Sequence, residues 1–191
     1  LALSWRVPYA GDVDAARRGE IRAKAGSIIA SVLGDEGAGS LLSWARGEGY
    51  ASGISASASP DGSTGLRLDP AYELTSKGLN FWPDLVAATV GAVARLRENG
   101  VPRYRVEELD QLAELSWRYS EPGKSDDLAR GLVTNVQEVG WDDAAGDQGR
   151  VLSLFRRRGA GAGSTVDAQL DATRALLETG LVLANLCLTV V

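Results

Sequence analysis

Phe81, Leu85, Val86, Val90, Val93 and Leu96 recur at three- and four-residue spacing, and Asn99-Gly100 closes the run. A stripe of that period predicts an amphipathic helix whose apolar side must lie on a core, with its end set by a residue pair that tolerates the left-handed conformation. The first eight residues alternate around Leu3, Trp5 and Val7 and stop at Pro8 with Gly11 close behind, which reads as a strand entering a turn.

The remaining periodicities sort into short elements. Ile21, Ile28, Ile29, Val32 and Leu33 fall near helical spacing from Asp14 onward, and Gly34 stands where that single helix ends. Residues 40–46 form a short helix with Leu41, Leu42 and Ala45 on one side. The stretch 50–59 alternates small and polar residues, and a Pro60-Asp61-Gly62 turn joins it to Leu66, Leu68 and residues 71–74 as a hairpin. Pro102 opens a helix carrying Leu109, Leu112, Ala113 and Trp117; Pro122-Gly123 breaks it, and residues 126–139 resume as another. From Gly140 to Ser164 the composition turns to Gly, Asp and Arg, a loop signature, and residues 167–178 follow as a helix with Leu170, Thr173 and Leu177 on one side. Residues 186–191 form an apolar closing strand, buried if it lies inside a sheet. The organisation expected is one domain over residues 1–191 with a Gly/Arg-rich insertion at about 141–164.

Several function classes are excluded. Lys and Arg number 20 against 25 Asp and Glu, a net charge of −5, which argues against a nucleic-acid surface. There is no His, so His-based zinc sites, Ser–His–Asp triads and Cys–His dyads cannot form within this chain, and the single Cys187 excludes an intrachain disulfide. The apolar run 181–191 is interrupted by Asn185 and Thr189 and is too short to span a bilayer, which takes roughly 20 residues. The chain starts at Leu1 with no basic leader, which reads as processed or cut from something longer. Gly123-Lys124-Ser125 lacks the glycine a phosphate loop needs at position 118, where Arg118 stands. Gly34, Gly37 and Gly39 follow a helix where a dinucleotide fingerprint follows a strand. Glu107-Glu108, Asp126-Asp127 and Asp142-Asp143 lack the spacing of a calcium loop. No catalytic residue, metal ligand or cofactor is expected.

The stretch Leu33-Gly34-Asp35-Glu36-Gly37-Ala38-Gly39-Ser40-Leu41-Leu42-Ser43, followed by Gly47-Glu48-Gly49-Tyr50-Ala51, resembles the insulinase-like (M16) zinc metallopeptidases. In that family the segment reads Gly-His-Glu-Gly-x-Gly-Ser-Leu-Leu, then a short helix and Gly-Trp/Leu-Ala, and it lies in the second, zinc-free domain. Asp35 replaces the His, and Tyr50 the Trp. The resemblance extends over residues 1–139 and 183–191. It implies an α+β fold: a two-layer α/β sandwich like that of the mitochondrial processing peptidase, with one mixed, largely antiparallel sheet and helices on one face. His-x-x-Glu-His, which carries the zinc in the first domain, is absent.

The resemblance also implies a role. It identifies the chain as a catalytically inactive M16 peptidase-like domain, serving as a structural or protein-interaction subunit of a larger assembly. The alternative is the non-catalytic, substrate-enclosing domain of a full-length zinc metalloendopeptidase whose zinc site lies outside this chain. In the insulin-degrading branch the Gly-Glu segment and the next strand anchor a substrate's N-terminus by backbone pairing, and the matching positions are Gly34, Glu36, Ile54 and Ala56, with Ser27 and Ser31 at that branch's helix histidines. An extended peptide taken up by β-addition shares this chemistry. For a protein partner, the expected interface is Trp141, Phe155, Arg156, Arg157 and Arg158, since aromatic and Arg side chains most often anchor interfaces. The family's habits favour an organelle, mitochondrion or plastid, over the cytoplasm.

Overall fold

Alternation along the first residues becomes β1 (Ala2–Pro8), in which Leu3 and Trp5 are buried while Ala2 and Arg6 face solvent. The computed structural model describes residues 1–119, 124–127, 129–130, 133 and 165–190. β2 (Ala51–Asp61) and β3 (Gly65–Leu74) form the expected hairpin, with Gly62 at φ +64° in its turn, and β4 (Leu186–Thr189) completes the sheet. The order is β2-β3-β1-β4, and every pairing among the described residues is antiparallel.

Pro70 sits in the central strand β3, where it has no N–H to give a ladder. The β1–β3 ladder is accordingly interrupted between Ala2 opposite Ala71 and Trp5 opposite Leu68 with its register unchanged, and in the gap the Ser4 hydroxyl donates to Asp69 Oδ1 at 2.6 Å.

One face of the sheet is covered. α1 (Val13–Ala23), α2 (Ala25–Leu33), α3 (Leu41–Gly47), α4 (Trp82–Asn99), α5 (Arg103–Arg118) and α6 (Val166–Thr179) provide the second layer. α2 packs on β2 and β3, α3 packs on β2, and α6 touches α1, α2, α4 and α5. Between the layers Leu3, Trp5, Leu68 and Tyr72 meet Ile28, Ile29, Leu33 and Leu177 in one buried cluster. Alternate residues on the far face are polar: Ser4, Arg6, Arg67 and Asp69 line it, and Arg67 Nε stands 2.7 Å from Asp69 Oδ2. The architecture is therefore the α+β two-layer sandwich.

Four details differ from the sequence reading. The helix expected from Asp14 to Leu33 is two helices, because Lys24 adopts φ +54° and turns the chain. On α4, the fully buried row is Leu85, Thr89 and Val93, with Val86 and Val90 half-buried beside it. Thr89 is tolerated there because its Oγ1 donates to Leu85 O at 2.7 Å and accepts from the Tyr72 hydroxyl at 2.7 Å. On α5, Val106 is buried but Leu112 is 55% exposed, so the apolar row of that helix does not all reach the core. β4 is an edge strand with Leu188 exposed, not a buried closing strand. The proposed helix 126–139 shows helical backbone at residues 125–127, 129–130 and 133, and the rest of it lies outside the described residues. The insertion at 141–164, with Trp141, Phe155, Arg156, Arg157 and Arg158, also lies outside them.

Candidate functional site

The Gly-rich turn after α2 and the outer edge of β2 come together. Gly34 caps α2 at φ −86°, with its N–H donating to Ala30 O at 2.8 Å. A Cβ on Gly34 would stand 3.3 Å from Ala56 Cβ and 3.4 Å from Ala56 N, so glycine here lets the turn lie against β2. Gly39, by contrast, needs its conformational freedom at φ +82°, and Ser40 then caps α3 by accepting the Ser43 N–H at 3.1 Å.

Two ion pairs hold this turn from opposite sides. Asp35 Oδ2 meets Arg105 Nη2 of α5 at 2.5 Å, and Arg105 Nη1 reaches Glu108 at 3.3 Å. Burial works against the Arg105 charge, yet Asp35 and Glu108 outweigh it and raise the guanidinium pKa above its ordinary value. On the other side Arg46 Nη2 lies 3.3 Å from Glu36 Oε2, and Arg46 Nε donates to Ser52 O of β2 at 3.0 Å. Ser52 falls at the bulge between Ala51 and Gly53.

The expected residues are thus partly assembled. Gly34 and Ala56 touch, and Glu36 is tied to β2 through Arg46. Ile54 is only 9% exposed and packs into the core, which leaves its backbone as the part available to a ligand. Ser27 is exposed, whereas the Ser31 hydroxyl is turned back to Ile28 O at 2.7 Å. The sequence reading missed Arg46, whose one visible signal is its place in the last turn of a short helix, where a cation favours the dipole. It also missed Arg105 as the partner of Asp35, since nothing local links residues so far apart in sequence.

Tyr50, at the position of the family's Trp, sits in an aromatic stack below this edge. Its ring lies 5.1 Å from that of Phe81 at 7° and 5.8 Å from that of Trp44 at 81°. Lys77 Nζ stands 4.9 Å over the Tyr50 ring and donates to Glu48 O at 2.7 Å, which locks the α3–β2 junction to the segment before α4.

The outer side of β2 pairs with no described strand. An unpaired strand edge presents backbone donors and acceptors, the groups with which an extended segment adds to a sheet. Among the described residues no group of three or more His, Cys, Asp or Glu side chains is placed to hold a metal ion, and no helix is long and apolar enough to cross a membrane.

No family model matches the chain. It is 29% identical over 136 residues to Protease 3 of Escherichia coli, covering 70% of this chain and 14% of that protein. It is 27% identical over 140 residues to a nardilysin-like protein of Arabidopsis thaliana, covering 71% of this chain and 13% of that one. The chain therefore spans about one seventh of the length of the curated relatives it matches. Among solved structures it superposes on pitrilysin with a TM-score of 0.71 at 23% identity, covering 93% of this chain and 17% of that chain. It also superposes on the M16 inactive peptidase domain from Pseudomonas fluorescens with a TM-score of 0.60 at 15% identity, covering 97% of this chain and 39% of that one. For an inactive peptidase domain from Bordetella parapertussis the TM-score is 0.57 at 19% identity, covering 97% of this chain and 87% of that one. In sequence the chain is similar to Protease 3 and in fold it matches inactive M16 peptidase domains, so both comparisons carry the resemblance to the second, zinc-free domain of the insulinase-like (M16) enzymes.

Proposed function

We propose that the chain works as the non-catalytic, substrate-enclosing domain of an M16-type zinc metalloendopeptidase, holding an extended polypeptide at the outer edge of β2. The observation that carries this is the relationship to Protease 3, a far longer protein, along 70% of this chain. The absence of His supports it, because the hydrolytic centre of such an enzyme must then lie in other sequence. Gly34, Glu36, Ile54 and Ala56 are the receiving positions, with Arg46 fixing Glu36 against the strand.

A second reading, a structural or protein-interaction subunit of a larger assembly, is favoured by one feature. Tyr104, Leu112, Leu115 and Tyr119 of α5 and the residue after it are exposed at 62%, 55%, 48% and 77%, more apolar surface than a solvated helix needs. An organelle location gains no support from relatives in a bacterium and a plant.

The test is made on the native particle that contains this chain, by its mass, zinc content and peptide cleavage. Stoichiometric zinc with cleavage that weakens on Gly34→Val, at unchanged zinc content, supports the enclosing domain. A particle without zinc or cleavage, built from several different chains, supports the assembly subunit.

A further inference from the structure

On the side of the Gly34–Ser40 turn away from β2, α2, α3, α4 and α5 enclose a pocket of about 320 Å³. Val32, Leu41 and Leu96 give it apolar walls, while Arg95, Tyr104 and Arg105 line it with polar groups. Among the described residues no acidic side chain lines it, although acids outnumber bases in the chain. Arg105 is already engaged by Asp35 and Glu108. Arg95, which lines the pocket, is exposed and forms no ion pair with a described residue, so its charge is unmatched among the described residues.

We propose that this pocket binds a peptide through an apolar side chain set between the helices and an adjacent carboxylate paired with Arg95. The pairing follows from chemistry: a guanidinium fork suits a carboxylate, and an apolar cavity with a few polar groups at its rim fixes both position and orientation. The carboxylate is that of an Asp or Glu side chain or of a chain terminus. This rests on the reading of the domain as one that holds polypeptide, and it adds a second contact on the other side of the same turn.

Calorimetry on the full chain tests it with three peptides: capped Gly-Leu-Glu-Gly, capped Gly-Leu-Gln-Gly, and acetyl-Gly-Leu with a free C-terminus. The Glu peptide should bind saturably and the Gln peptide about threefold more weakly, the loss expected for one pair with an exposed guanidinium. Tighter binding of the free-terminus peptide than of the Glu peptide assigns the carboxylate to a terminus, and the reverse assigns it to a side chain. Arg95→Gln should reduce the Glu peptide to the level of the Gln peptide without moving the melting temperature, and Ala92→Leu, which fills the pocket from α4, should weaken every peptide. Equal binding of the Glu peptide by parent and Arg95→Gln, or no binding of any carboxylate peptide by the parent, overturns the proposal. Neither outcome depends on zinc or cleavage in the native particle, so failure here is distinct from failure of the enzyme reading.

Discussion

Glu20 Oε1 accepts the backbone N–H of Gly26 at 2.8 Å, across the break between α1 and α2. The first N–H groups of a helix lack intrahelical partners, and here a side chain of the preceding helix satisfies one of them. Gly26 has no room for a side chain, since a Cβ would come 2.8 Å from Leu66 Cδ2 and 3.0 Å from Ala58 Cβ. The turn at Lys24 thus lets α2 lie directly on the sheet while Glu20 satisfies a backbone donor at its buried N-terminal end.

That carboxyl titrates far from its usual range. Burial pushes the Glu20 pKa up to about 7, against the lowering effect of the Gly26 N–H; Tyr9, which also feels Arg17, is the titratable group that senses its charge. A pKa raised on folding favours the neutral form, so its contribution is complete below the ordinary carboxylate range and is lost as pH rises through 7. Glu20→Gln should therefore gain stability relative to the parent between pH 5 and 8, by roughly 2 kcal/mol after allowance for partial solvation. Parallel melting-temperature profiles for the two proteins across that range would assign the pH dependence to other groups.

Asp35 and Glu36 are neighbours with different expected weights. The Asp35–Arg105 pair is about 70% withdrawn from water and joins α5 to the turn, whereas Glu36 is 61% exposed opposite Arg46. Asp35→Ala should cost about 1 kcal/mol in urea denaturation and Glu36→Ala close to nothing. A larger loss at Glu36 than at Asp35 would reverse the assignment of which side of the turn is held.

How far the sequence reached depends on whether a feature was local. The hairpin, the short helix α3 and the end of α4 at Gly100 were legible because each rests on a few adjacent residues. The break at Lys24 was not: Lys is not a residue that signals a left-handed turn, and the cause lies in Glu20 and in the close approach of Gly26 to β2 and β3. The core place of Thr89 was hidden for the same reason, since its partner Tyr72 is on another element. At the candidate site, the glycine and Glu36 positions were visible by resemblance, but Arg46 and Arg105 became visible only when the helices were in place.

Tyr72 and Thr89 should behave as a coupled pair. Thr89→Val leaves the buried Tyr72 hydroxyl without its partner and should cost about 1–3 kcal/mol. Tyr72→Phe removes the donor while Thr89 keeps its bond to Leu85, and should cost less. In a double-mutant cycle the two changes should be non-additive by about 1 kcal/mol. Simple additivity would mean that the hydroxyls do not interact.

The face of α4 can be read by charge insertion. Val93 is 2% exposed, so Val93→Asp buries an unpaired carboxylate and should unfold the domain or cost several kcal/mol. Val90 lies beside that row and is half-buried, so Val90→Asp should be markedly milder. Equal damage at both positions in thermal melts would show that the helix presents a wider buried face.

Gly34 and Gly39 are two glycines of one turn that serve different physical needs, and asparagine separates them. Gly39 is held at φ +82°, a region Asn tolerates better than Ala, so Gly39→Asn should be milder than Gly39→Ala, which should cost about 1 kcal/mol. Gly34 has an ordinary φ of −86° and is limited by space against Ala30 O and Ala56, so Gly34→Ala should be mild and Gly34→Asn worse. Any displacement of the turn should also speed hydrogen exchange at the amides around Ala56, on the strand edge assigned to the polypeptide. The opposite order of Ala and Asn at either position, measured by thermal melts, would show that space and backbone conformation have been exchanged between the two.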